Sequence, residues 1–491
     1  MKNSIRSDMA GCIRSRSTKE WLAILLILVP TILEAVYIYL FGVNVVSWDQ
    51  WDFVPYIEKM LQHNLSFADL FSQHNEHSLL IPRIVMLQLA YISDYNNIYE
   101  MYFSWILAAC TMAAIFLMYR SRFGSANGSS AKMLAAFAPI AFLIFNLGQY
   151  QNILWGFQIQ VYLAVFGFVV GIFFLSNSKK IDEYFVLAAF SCILATFSFA
   201  NGLASWPAGL LFILISRKGK RAAFAWSLIG LSAVVIYFFN WTKPEGNFGT
   251  FFIPANLIKS LLFFACSIGS PLGLAVPDSV FLGTILIIIF VMDLLILRKY
   301  KLVRENAMWL SLCAYSFISS LAMTVFRAGI GISQALASRY ITITTLGIIG
   351  IYLISLAIFQ MNPDNRMNRL LKGIMLLILI VGLIIGNIHG LMAGISLSLS
   401  RTDEAHYLAT YKMQSDENLS KLYPYPEIVR DRAPILERHN LNVFSEDLKN
   451  IGRISGMSDL KVSKIRKLDE YKQKYIARVK YELMDINRQY S

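Results

Sequence analysis

Charged side chains are scarce in this chain. Asp, Glu, Lys and Arg together make up 15% of its 491 residues, whereas a soluble domain carries about a quarter. With 56% hydrophobic residues and a mean hydropathy of +0.53, that shortage excludes an ordinary soluble protein. Cysteine is scarce too. The five are Cys12, Cys110, Cys192, Cys266 and Cys313. Four sit inside apolar runs and no two form a CxxC pair, which excludes a disulfide framework and a cysteine metal site. Acidic residues number 31 against 44 basic ones, for a net charge of +13. The excess Lys and Arg collect in short loops between apolar runs, where they set membrane orientation. Anionic headgroups, and not nucleic acid, are the partner this pattern implies. The chain has no internal repeat and no low-complexity tract.

Apolar runs of roughly 20 residues recur along the chain, the signature of transmembrane helices. The expected spans are 21–42, 101–119, 133–147, 158–176, 184–200, 203–216, 222–240, 279–297, 307–326, 341–360 and 371–391. The fold class is therefore all-α and polytopic, with about eleven transmembrane helices. The first run is longer than a signal-peptide core and lacks an A-x-A-like cleavage site, so it reads as a retained span after a cytoplasmic arm, 1–20. Segment 256–276 carries a SIGSPLG core and reads as a broken or re-entrant helix. Segment 79–93 is short, holds Pro82 and Arg83, and reads as an interfacial helix. Basic loops at 120–132, 177–183, 217–221, 298–305 and 362–372 alternate with loops poor in Lys and Arg. The positive-inside rule puts the first set in the cytoplasm and loop 43–100 outside. The composition turns polar at residue 400, which predicts a soluble C-terminal domain over 400–491, on the outer side. Within it, 464–490 has the spacing of a charged surface helix.

The most informative stretch is 43-VNVVSWDQWDFVPYIEKM-60. Asp49 and Asp52 stand between aromatics just beyond the first span, where no span end requires an acid. In a helix their i,i+3 spacing puts them on one face. Such a pair serves as base and orienter, because repulsion raises one pKa; it is also the oxygen chemistry that holds a divalent cation. The plainer alternative is a solvated span end with Trp belt residues. Runs 52–64 and 66–71 read as amphipathic helices lying on the membrane. His74, Glu76 and His77 in 73-QHNEH-77 could ligate a metal, but the run is not HExxH, and a hydrogen-bonded loop or a substrate contact is the favoured reading. In 327-RAGIGISQALASRYIT-342, Arg327 and Arg339, beside Tyr340, suit a phosphate as a fork-like pair. Gln149, Gln151, Asn152, Trp155, Gln158 and Gln160 in one outer loop, and Asn201 and Trp206 in another, supply the amides and indole faces a sugar ring requires; interface packing is the plainer alternative.

This constellation resembles the GT-C class of membrane glycosyltransferases. Those enzymes carry an acidic motif of the form Asp-Glu-x-(Arg/His)-(Tyr/Phe) early in a large first outer loop. Here 49-DQWDF-53 matches that register at Asp49 and Phe53, with Gln50 in place of Glu and Asp52 in place of the basic residue. The late Arg339–Tyr340 pair and the polar C-terminal part are similar to the class as well, as are, more loosely, bacterial glucosyl-type transferases that modify surface polysaccharide. The resemblance implies a multi-pass protein of the inner (plasma) membrane that uses a polyprenyl-phosphate-linked sugar donor and a surface glycan or lipid acceptor. It implies inverting transfer with Asp49 as base, Asp52 and His74 as helpers, and Arg339 with Arg327 holding the lipid phosphate. Two alternatives stay open: an O-antigen polymerase or ligase, and a non-enzymatic transporter of lipid-linked glycan. The first usually carries its large loop late among the spans. The second usually shows related halves and mid-membrane charge; here only Glu34 and Asp293 lie deep in spans.

Overall fold

A computed structural model describes residues 17–75, 77–124, 130–242, 257–361 and 366–445. Glu76 and the expected helix at 464–490 lie outside the described residues. Among the described residues the fold is helical apart from one two-stranded hairpin. Among the described residues, nine helices are long and apolar enough to cross a membrane, so this is a multi-pass membrane protein.

Helix α1, Thr18–Phe41, starts where Ser17 and Glu20 cap each other reciprocally, the arrangement that satisfies two free N–H groups of a first turn. The loop after it carries α2 (Val54–Leu61), α3 (Phe67–Phe71), the hairpin β1–β2 (Gln73–His74, His77–Ser78) and α4 (Leu80–Ser93). Short helices fall within both runs expected to be amphipathic, and α2 turns Val54 and Ile57 into a core within the protein. Helices α5 (Asn97–Phe123), α6 (Ser130–Ile144) and the short α7 (Tyr150–Ile153) follow. Next come α8 (Ile159–Asn177), α9 (Glu183–Thr196), α10 (Ser205–Ile215) and α11 (Lys220–Tyr237). Both α9 and α10 are apolar but shorter than the nine.

Segment 256–276 is indeed broken. Helix α12, Leu257–Gly269, ends in a turn and packs back along α13, Val276–Lys299. Glycines permit the contact: a Cβ at Gly283 would overlap the Ala265 carbonyl, and one at Gly269 the Ser279 carbonyl. Helices α14 (Ala307–Arg327) and α15 (Ile341–Met361) complete the bundle. The α15 segment is enclosed on every side, as its all-round apolar surface dictates.

The last long helix, α16, runs unbroken from Arg366 to Ala409. The compositional change at residue 400 thus falls inside a helix and not at a linker. Short helices α17 (Asp416–Leu422) and α18 (Pro426–Arg438) fold back from its end. They form a second core with the first loop, in which Trp51, Phe53, Val54 and Ile57 join Leu408, Leu419, Leu422, Val429 and Leu436. Loop 43–96 and residues 410–445 therefore share one end of the bundle.

Candidate functional site

Residues Trp48–Phe53 form a 3-10 helix, in which side chains three apart eclipse. Asp49 and Asp52 accordingly share a partly exposed face, while Gln50, Trp51 and Phe53 are buried. Trp48 enters this turn with φ +52°, a costly conformation for a bulky residue, and its indole is half exposed.

The two aspartates have different surroundings. Asp52 Oδ1 accepts from Arg432 Nη1 at 2.7 Å, and its Oδ2 accepts from the Tyr423 hydroxyl at 3.2 Å. The same Arg432 nitrogen donates to the Trp51 carbonyl at 2.6 Å. Burial, then the adjacent Asp52 carboxylate, push the Tyr423 phenol up to about 12, so it donates at neutral pH. Asp52 is thereby held from the C-terminal segment. Asp49 has one ion contact among the described residues, His74 Nε2 at 4.0 Å. Both acids line a narrow cleft with His74, Tyr56, Arg83 and Gln160. The His74 ring meets Phe157 edge-on at 5.4 Å. Gln160 is buried, and its Oε1 has no hydrogen-bond partner among the described residues.

The cleft wall is built from loop backbone. Arg83, deep in α4, donates to the carbonyls of Leu70 and Ser72 and stacks its guanidinium 4.8 Å from the centre of the Tyr56 ring. Arg83 is thus a brace for α3 and the hairpin, and not a headgroup contact. Asp69 caps α3 by accepting from Ser66 and pairs with Lys59. Those bonds, led by the one from Lys59, hold its carboxyl well below the usual carboxylate range.

The hairpin separates two hollows. His74 and His77 are cross-strand partners; His74 lines the acid cleft and His77 lines an apolar cavity of about 290 Å³. Phe199 packs on the His77 ring at 4.3 Å. Asn201, Arg327 and Tyr340 line the same cavity, among Phe199, Phe238, Trp241, Met323 and other apolar groups. Gln73 ties the hairpin to the far wall, donating to the Thr242 carbonyl at 2.7 Å and accepting from the Thr242 N–H at 2.9 Å. Residues expected at two separate loops thus meet in one cavity.

Several other expected contact residues bond within the protein. Asn152 donates to the Arg339 carbonyl at 3.0 Å and to the Thr342 hydroxyl at 2.7 Å, and the Gln151 N–H reaches Ser338 Oγ at 3.2 Å. This segment therefore shapes the backbone that carries Arg339. The Arg339 side chain is exposed and its guanidinium lies 5.7 Å from the Tyr340 ring centre. Gln158 is buried. Trp155 donates to Gln50 Oε1 at 3.2 Å under the Arg401 guanidinium. Trp206 is not at the site: it is buried against Trp226 and donates to Thr196 Oγ1 at 2.9 Å. Among the described residues no group of three or more His, Cys, Asp or Glu could hold a metal ion.

Several contributors had no local signal in the sequence. Tyr423 and Arg432 lie about 370 to 380 positions from Asp52. Glu404 accepts from Ser47 Oγ at 2.6 Å and pairs with Arg401. Asn442 donates to Asn44 Oδ1 and the Tyr95 carbonyl and accepts from the Val46 N–H. Gln160 was visible only as one amide in a polar loop.

No family model matches this chain, and no solved structure does. A protein of Archaeoglobus fulgidus, described as uncharacterized, is 29% identical over 240 residues. That match covers 44% of this chain and 60% of the archaeal protein's length.

Proposed function

We propose that this protein is a membrane glycosyltransferase of GT-C type, moving a sugar from a polyprenyl-phosphate donor to a surface glycan or lipid acceptor. The observation that carries the reading is the adjacency of two hollows across one hairpin. On one side Asp49 stands beside His74 in a small cleft of about 10 Å³ with mixed polar and apolar walls. On the other, Arg327 and Tyr340 stand in an apolar cavity. A lipid-linked phosphosugar needs both surroundings at once: apolar walls for its chain and a cation for its phosphate.

In this reading the acceptor hydroxyl enters the cleft and Asp49 takes its proton. The freed oxygen forms a bond to the anomeric carbon on the face opposite the leaving group. The bond from that carbon to the phosphate oxygen breaks, and its electron pair leaves with the lipid phosphate. Arg327, with Arg339 next to the cavity residue Tyr340, offsets the charge that grows there. The configuration inverts. Asp52, already engaged by Arg432 and Tyr423, holds the turn and leaves the base role to Asp49. A divalent cation would have Asp49 and His74 as its nearest donors, too few for an all-protein site. The protein then belongs in the plasma membrane, with loop 43–96 and residues 410–445 on its outer side.

The test is a mass profile of surface glycans and lipid-linked sugars in cells lacking the gene and in cells carrying it. The account expects the deletion to remove one sugar-sized mass from a glycan while its lipid-linked donor accumulates. Unchanged glycans together with a donor trapped on the cytoplasmic face would instead favour a transporter.

A further inference from the structure

We infer that Gln50 and Glu100 form an amide–carboxyl pair that anchors the Asp49 turn to α5, and that this pairing requires an amide at position 50. The functional consequence rests on the glycosyl-transfer reading; the anchoring does not. Gln50 is fully buried. Its Oε1 accepts from the Ser47 N–H at 3.3 Å, from Asn97 Nδ2 at 3.2 Å and from Trp155 Nε1 at 3.2 Å. Its Nε2 donates to Glu100 Oε2 at 3.1 Å. One end of the side chain thus meets three donors and the other meets an acceptor. Of the common side chains of this length, an amide carries both functions at its tip without first having to bind a proton.

Glu100 is equally buried, and its Oε1 has no partner among the described residues. Gly156 backs it so closely that a Cβ there would overlap the carboxyl. Glycine at 156 thus leaves the room in which Glu100 faces residue 50. A glutamate at position 50 is isosteric with Gln50, yet it would set two carboxyls against each other in a site closed to water, where both cannot ionise. The anchor matters because Asp49 follows from it: the buried face of the 3-10 turn fixes where the exposed face points. Gln50 is a positioning residue and touches no substrate.

The pair predicts an exchange symmetry. Combining Gln50→Glu with Glu100→Gln swaps the amide and the carboxyl, and so restores one donor and one acceptor across the contact. Gln50→Glu, Glu100→Gln, the double variant and Gln50→Leu are compared in the full-length protein. Two readouts are taken: amide hydrogen exchange of residues 45–53, and sugar transfer in complemented deletion cells, normalised to protein in the membrane. Gln50→Glu should speed exchange and cut transfer by about tenfold or more, a coupling of the size seen between groups in contact. Glu100→Gln should stay within about twofold of wild type, because two amides still bond. The double variant should recover both readouts, whereas Gln50→Leu should fail with or without Glu100→Gln. Wild-type behaviour of Gln50→Glu, or a double variant no better than Gln50→Glu, overturns the inference. If exchange follows the swap while Asp49→Asn transfers normally, the anchor stands and the glycosyl-transfer reading falls.

Discussion

Replacing Arg432 by alanine should release the C-terminal segment from the acid turn. The side chain makes two bonds through one nitrogen, to Asp52 Oδ1 at 2.7 Å and to the Trp51 carbonyl at 2.6 Å. Its partner carboxylate is about one-third exposed, with 32% of the side chain accessible, so the charge-assisted bond is discounted for screening to about 1 kcal/mol. The bond to the Trp51 carbonyl adds about 1 kcal/mol. Tyr423 still holds Asp52, which limits the loss. A total of about 2 kcal/mol shifts the docking equilibrium about 30-fold. Local opening of this kind is read directly by amide exchange. Exchange in 416–438 should therefore rise about 30-fold in Arg432→Ala, while α8 and α15 keep wild-type protection. Lysine at 432 should recover only part, since its ammonium could donate to both acceptors but ends one atom short of the Arg432 Nη1 position. Unchanged exchange in 416–438 would refute the claim that this residue pins the segment.

Three further outcomes are expected. Gln160→Leu removes a buried amide whose oxygen has no partner among the described residues, so melting should hold steady or rise by about 1 kcal/mol of stability while sugar transfer falls; a loss of both would mark Gln160 as scaffold. The Asp69 carboxyl is held below its usual range, chiefly by Lys59 and then Ser66. A depressed acid stabilises the fold above its ordinary value, near 4, and that contribution is lost as pH falls through the folded value. Pepsin cleavage within 62–75 should accordingly increase between about pH 4 and pH 2, and Asp69→Asn should be cleaved readily across that range. Arg327→Ala should weaken crosslinking of a photoreactive polyprenyl phosphate to the cavity wall, with Arg327→Lys intermediate because the fork is lost but the charge kept; equal crosslinking in all three would remove Arg327 from the phosphate role.

The spans were legible because hydrophobic length is a local property: α1 was expected over 21–42 and covers Thr18–Phe41. The i,i+3 placement of Asp49 and Asp52 was likewise local, and the 3-10 turn provides it. What local reading could not separate were the surroundings of each acid. Asp52 is distinguished from Asp49 by Arg432 and Tyr423, which no spacing rule connects to it. Trp206 shows the converse error. An aromatic at a loop edge has the composition of a sugar platform, but Gly209 and Gly230 let it pack with Trp226 inside the bundle. Asn152 was read as a substrate amide, and its side chain bonds to the Arg339 carbonyl and the Thr342 hydroxyl because a buried amide takes partners within the protein. The limit at 400 was set by composition, and helix α16 crosses it because a helix can leave the membrane without ending.

The central claim is that Asp49, and not Asp52, is the base. The measurement is the mass profile of surface glycans and lipid-linked sugars in deletion cells carrying wild type, Asp49→Asn or Asp52→Asn, each checked for equal protein in the membrane. The account predicts that Asp49→Asn lowers transfer by about 10²–10⁴-fold, the usual contribution of a general base, with the donor accumulating and exchange in 416–438 unchanged. Asp52→Asn should lower transfer less and should loosen 416–438. Wild-type glycans from Asp49→Asn would contradict the account.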